Sequence, residues 1–202
     1  MATLQQTFSS GSKFEEQLTQ VILKYTRHIW RNIRVETLLT VNGTTEIDIL
    51  FCYKNILFVV EAKNVASISG DYDSKNWDFI GSKSTHKDMK EYTSLNTVVQ
   101  NNIHVRSLKD CFYAYFREWP VVIPLIVVPS TCMVSSDIAD SIFTVSQLDS
   151  FLVEASDWQA ESNLHRRIAS ILSENSKFIQ RPDFVFDATR GVRVKGDVNG
   201  SN

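Results

Sequence analysis

Two apolar runs dominate the first third of the chain, Ile47 to Tyr53 and Ile56 to Val60, separated by the polar pair Lys54-Asn55. Rich in branched and aromatic residues and divided by so short a break, they predict a β-hairpin. The second run is apolar at every position, the pattern of a strand covered on both faces. Upstream, Phe14, Leu18, Val21, Ile22, Tyr25 and Ile29 recur at helical spacing and predict an amphipathic helix over 13–31, with Ser12 as its N-cap. Residues 33–41 read as a first strand, and the Asn42-Gly43 turn leads from it into the hairpin, giving a meander of three antiparallel strands.

Residues 64–90 are polar and turn-rich, interrupted by Trp77 and Phe79. A stretch of that length is expected to be functional or to carry a small hairpin of its own. Residues 91–116 predict a helix whose apolar face holds Leu95, Val98, Val99, Ile103, Leu108 and Phe112. The run Val121 to Pro129 predicts a buried central strand despite Pro124. A helix between two strands makes a crossover, so this strand is expected to pair in parallel with the hairpin. A short strand near 142–145, helices over 147–155 and 158–174, and a last strand within 178–186 complete the pattern. The expected division is a flexible leader at 1–12, a domain at 13–150, and a C-terminal helix and tail at 151–202 packed on or trailing it.

Composition narrows the class. The chain of 202 residues is 43% hydrophobic and 22% charged, as one globular domain would be. No run approaches the roughly 18–20 apolar residues of a membrane span, and the N-terminus lacks a basic and apolar leader, so a cytoplasmic protein without a membrane partner is expected. Cys52, Cys111 and Cys132 are odd in number and widely spaced, which predicts reduced, structural thiols. A net charge of −2 excludes coating of nucleic acid by sheer basicity. Any such contact needs a local patch, and the expected one is the 70–90 segment, where Lys75, Lys83, Lys87 and Lys90 would meet the backbone and Trp77 or Phe79 would stack on bases.

Asp48, Glu61 and Lys63 are the charges that do not belong in apolar strands. If Lys54-Asn55 forms a two-residue loop, Tyr53 pairs with Ile56, Asp48 lies opposite Glu61, and Lys63 follows on the same face. A three-residue loop would move Asp48 to the other face relative to Glu61. In the first register two carboxylates and an ammonium converge, which is a site for a divalent metal, whereas a solvated surface pair is the plainer alternative.

In order along the chain stand Glu15 in the first helix, Glu46-Ile47-Asp48, Val59-Val60-Glu61-Ala62-Lys63-Asn64, Ile68-Ser69-Gly70 followed by Trp77, and Asn96-x-x-x-Gln100-Asn101-x-x-His104-x-x-x-Leu108. This set resembles the PD-(D/E)XK nuclease superfamily, and within it the nuclease-related domain (NERD) family, over roughly residues 11–130. The departures are Ile49 where a His is common, Lys54-Asn55 for a glycine turn, and Asn96-Thr97 for Asn-Pro. The resemblance implies an α/β restriction-endonuclease-like core of order αβββαβ, a mixed sheet flanked by helices, with a small helical C-terminal extension. It implies a metal-dependent nuclease acting on nucleic acid, DNA ahead of RNA, with a homodimer or a protein partner left open. A non-catalytic binding or sensing module on the same fold is the alternative. The implied roles are Asp48, Glu61 and the Ala62 carbonyl as ligands of Mg²⁺ or Mn²⁺, and Lys63 at the attacking water and phosphate. Glu15 would hold a bound water or second ion, Gln100 would orient substrate, and His104 would contact phosphate.

Overall fold

The computed structural model describes residues 4–81, 90–158, 163–172, 178–180, 184–187 and 191–194. Its centre is a six-stranded mixed sheet. The hairpin forms β2 (Thr44–Tyr53) and β3 (Ile56–Ala62), with β1 (Ile29–Glu36) antiparallel beside β2 and β7 (Val122–Val128) parallel beside β3. The short β10 (Phe178–Ile179) and β9 (Phe143–Thr144) close the two edges, giving the order β10-β1-β2-β3-β7-β9.

Helices cover both faces. On one, α1 (Leu4–Ile22) and α3 (Val145–Glu154) bury Phe14, Leu18, Ile22, Leu148 and Leu152 against Ile49, Phe51, Phe58 and Val60. On the other, α2 (Thr97–Phe116) and α4 (Leu164–Ile171) bury Leu108, Phe112, Leu164 and Ile168 against Leu50, Leu57 and Val59. Covered on both sides, β3 is buried from Ile56 to Glu61, as its continuous apolar run requires.

Lys54 and Asn55 both take positive φ, 52° and 59°, the pair of left-handed residues that a two-residue turn of the hairpin twist demands. Tyr53 therefore pairs with Ile56 and the ladder runs back to Ile49 opposite Val60, in the register that sets Asp48 against Glu61. Pro124 is accommodated in β7 for a geometric reason. Leu57 N–H donates to Val121 O and Lys63 N–H to Val127 O, so odd-numbered residues of β7 face β3. Pro124 turns its nitrogen to the other edge, where β9 pairs only from Val127 onward.

Several boundaries differ from the sequence pattern. The first helix ends at Ile22, where Tyr25 N–H and Thr26 N–H both close on the Ile22 carbonyl, and it begins at Leu4, so Ser12 lies inside it and not at its start. Tyr25 and Ile29 kept the helical spacing only because they enter the same apolar cluster from non-helical backbone. The first strand is Ile29–Glu36 and not 33–41. Residues 37–43 form a loop closed by Thr37 N–H to Gly43 O, with Gly43 at φ 68° and Leu38, Leu39 and Val41 exposed.

The polar 64–90 stretch carries β4 (Val65–Ser69) and β5 (Asn76–Gly81), and Glu91–Leu95, expected as helix, is β6. These strands join β8 (Met133–Val134) in a second sheet of order β6-β5-β4-β8, packed around Trp77, Phe79 and Ile126. Helix α2 can start only at Thr97, because the Asn96 side chain caps it by accepting from Val98 N–H and Val99 N–H. The expected last strand is divided into β10 and a separate hairpin of β11 (Phe184–Asp187) and β12 (Gly191–Val194). No helix among the described residues is long and apolar enough to cross a membrane. Cys52, Cys111 and Cys132 are free thiols.

Candidate active site

The site lies where β2 and β3 part company. Strand alternation should put residues three apart on opposite faces, yet Ile47 and Leu50 share one cluster, and so do Trp30 and Ile33 on β1. The face switches at Asn32, which has φ 53°, and at Asp48, which would stand opposite it in the register. Released from regular pairing, the Asp48 carboxylate accepts the Ala62 N–H at 2.8 Å. The N–H and carbonyl of one strand residue point the same way, so the Ala62 carbonyl opens on this same edge of β3.

Glu61 projects from β3 toward α2 and is 2% exposed. Its Oε1 lies 2.7 Å from Lys63 Nζ, and its Oε2 lies 3.0 Å from His104 Nε2. Burial drives the Glu61 carboxyl up, but the His104 hydrogen bond and the Lys63 charge outweigh it and hold the group below the ordinary range. Asp48 behaves oppositely. Burial, and then the charge of Glu61, push its carboxyl up to about 8, against the Ala62 N–H and Lys63. A buried carboxyl pair short of cationic charge is the result.

Helix α2 supplies the other wall. Lys63 Nζ donates to Gln100 Oε1 at 3.1 Å, one turn before His104. Asn101, buried between them, donates to Val59 O and Leu125 O and seats the helix on β3 and β7. Glu15, on the helix covering the opposite face, pairs with Arg31 at 3.1 Å, and its charge reaches Asp48 as the weakest of the influences there.

Asp48, Glu61, Lys63 and Gln100 are thus brought together, with Ala62 beside them. Two sequence-based roles need correction. His104 does not contact phosphate: it is buried, with Nε2 on Glu61 and Nδ1 2.6 Å from Thr45 Oγ1, and so supports the carboxylate. Trp77 cannot stack on bases, because it is fully buried and donates from Nε1 to Asp71 O, packed against Gly70. Phe79 is also buried, stacked on Tyr92. Lys83 and Lys87 lie outside the described residues. Thr45 and Arg31 were missed. Arg31 interrupts the apolar Ile29-Trp30 and Ile33 positions as Asp48 interrupts β2, a signal hidden by assigning 13–31 to helix.

A mixed sheet flanked by helices, with paired carboxylates on its central hairpin, defines a restriction-endonuclease-like fold. The family model described as nuclease-related domain (NERD) matches residues 10–129 of the 202, and the chain belongs to that family. No curated protein and no solved structure matches the chain.

Proposed function

We propose that this protein is a metal-dependent nuclease that hydrolyses phosphodiester bonds of nucleic acid, with DNA as the substrate. The observation that carries this reading is the convergence of Asp48, Glu61, Lys63 and Gln100, with Asp48 driven to about 8 by burial and Glu61. Two carboxylates and the Ala62 carbonyl form an all-oxygen donor set that suits Mg²⁺ or Mn²⁺, ions that retain water in their remaining positions. Such an ion, when bound, supplies charge neutralisation at the phosphate and acidifies a water. Asp48 joins that set only as the carboxylate, so the site is loaded with loss of its proton.

Lys63, held between Glu61 and Gln100, brings a cation to the phosphate as negative charge develops. Gln100 fixes that ammonium through its oxygen and leaves its amide nitrogen to orient a substrate oxygen. Thr45 and His104 hold the Glu61 carboxylate in place. Glu15, with Arg31, is assigned to a water or second ion beside Asp48.

A second reading, a nucleic-acid-binding or sensing module without catalysis, is favoured by one feature. Both Glu61 oxygens are engaged by Lys63 and His104, and among the described residues no three His, Cys, Asp or Glu side chains gather to hold a metal. Cleavage assays on single- and double-stranded DNA and on RNA, with Mg²⁺, Mn²⁺ or EDTA, separate the two. Metal-dependent cleavage of DNA is expected, lowered about 100-fold or more in Asp48→Ala and Lys63→Ala. If the wild type cuts nothing while it and both variants bind nucleic acid equally, the binding module replaces the nuclease.

A further inference from the structure

At the turn end of the β2–β3 hairpin, away from the carboxylates, a cavity of about 710 Å³ opens between the α1–β1 connection, the hairpin and α4. Lys24, Arg27 and Lys54 line it, and among the described residues no Asp or Glu does. Across it His28 and His165 stack, with ring centroids 4.2 Å apart and planes 19° from parallel. Stacked rings present faces to each other, so their nitrogens do not converge on one point, and among the described residues no metal-binding group of three forms. Cationic and wide, with no carboxylate lining it among the described residues, the cavity is matched to an anion.

We propose that this cavity is a second binding site, taking a phosphate mono- or diester through Arg27, Lys54 and the His28–His165 pair. It is independent of the nuclease reading. From Asp48 to Cys52, which lines the cavity, is four strand residues, about 13 Å. A nucleic-acid backbone and a free nucleotide both offer that phosphate chemistry.

The site is coupled to protons. Burial, and then the charges of His28 and Arg166, hold the His165 imidazole below the ordinary histidine range. A bound anion offsets that repulsion, so affinity rises as pH falls. The other groups facing the pair reinforce this or are silent. Lys24 is held by Asp149 of α3, which also accepts from Tyr25 OH. Lys54 lies over the Tyr53 ring. Burial pushes the Cys52 thiol up to about 11, leaving it neutral.

The test is an NMR titration of the histidine side chains with inorganic phosphate, sulfate, a deoxynucleoside monophosphate and a short DNA duplex, without divalent cations. Phosphate is expected to shift both His28 and His165. The affinity for sulfate, whose charge does not change over the range, should fall about tenfold between pH 6 and 8, and that for phosphate about tenfold in the Arg27→Gln/Lys54→Gln double variant. Rings unmoved by phosphate, or a double variant that binds as tightly as wild type, overturn the site. Duplex binding that phosphate competes away, tighter than the mononucleotide, assigns a nucleic-acid backbone. Mononucleotide binding at least as tight as duplex assigns a free phosphate ester. Asp48→Ala should retain the phosphate response, which separates a failure here from failure of the nuclease reading.

Discussion

Replacing Asp48 by Asn removes a charge while keeping the shape and an acceptor for the Ala62 N–H. Burial first, and Glu61 second, hold the Asp48 carboxyl at about 8, against 3.8 for an aspartate in water. Between those values the folded chain keeps a proton that the unfolded chain has lost. The contribution to stability is therefore full below the unfolded value and declines as pH rises through the folded one. At 1.36 kcal/mol per unit, the decline is about 4 kcal/mol by pH 7 and about 6 kcal/mol beyond pH 8. An amide carries no such penalty. Asp48→Asn should match wild type near pH 4 and exceed it by about 4 kcal/mol at pH 7 without divalent metal, roughly 10 °C in Tm for a chain of this size. Urea unfolding followed by tryptophan fluorescence in EDTA, across this pH range, measures it. Adding Mg²⁺ should narrow the gap by stabilising wild type alone. A difference that stays constant with pH, or an Asn variant less stable at pH 7, would refute the reasoning.

Gly70 stands at φ 156° with room for no side chain, since a Cβ there would meet Trp77 Cδ1 at 2.3 Å. Gly70→Ala should lower stability by about 1–3 kcal/mol in a thermal melt and alter the Trp77 fluorescence, because the buried indole must move. Asn96 caps α2 and also donates to Tyr72 O and Ser74 O. Asn96→Ala should cost about 1–2 kcal/mol by urea unfolding, with part recovered in Asn96→Asp, which keeps the cap acceptor. His104→Ala removes the strongest influence lowering the Glu61 carboxyl, so that group should titrate higher and Mg²⁺ affinity, read by calorimetry, should weaken about tenfold. Unchanged metal affinity would make His104 a packing residue only.

The hairpin and the charges that interrupt it were legible in the sequence, whereas its register stood open between a two- and a three-residue loop until the structure showed Tyr53 paired with Ile56. Lys54-Asn55 is not a favoured turn pair, yet Asn55 and Lys54 both take the left-handed conformation, and burial on both faces penalises any slip. The crossover to β7 was legible because a helix must separate parallel neighbours. Where the pattern misled, side chains kept a helical spacing without a helical backbone, as Tyr25 and Ile29 do, or a strand was too polar to be recognised, as Glu91–Leu95 is. The loops around Trp77 read as a surface for bases, and burial against Gly70 excludes that.

By itself, then, the sequence determined which charges interrupt apolar strands, and left open whether Asp48 and Glu61 would share a face. Only the tertiary structure decided what each charge became. Glu61 and Asp48 are both buried carboxyls, yet Lys63 and His104 hold the first ionised, whereas for the second burial and Glu61 outweigh the Ala62 N–H and Lys63 and drive it to about 8. Lys63 follows β3 directly, but His104 comes from α2, 43 residues along the chain from Glu61, and local spacing carries no record of which face that helix covers.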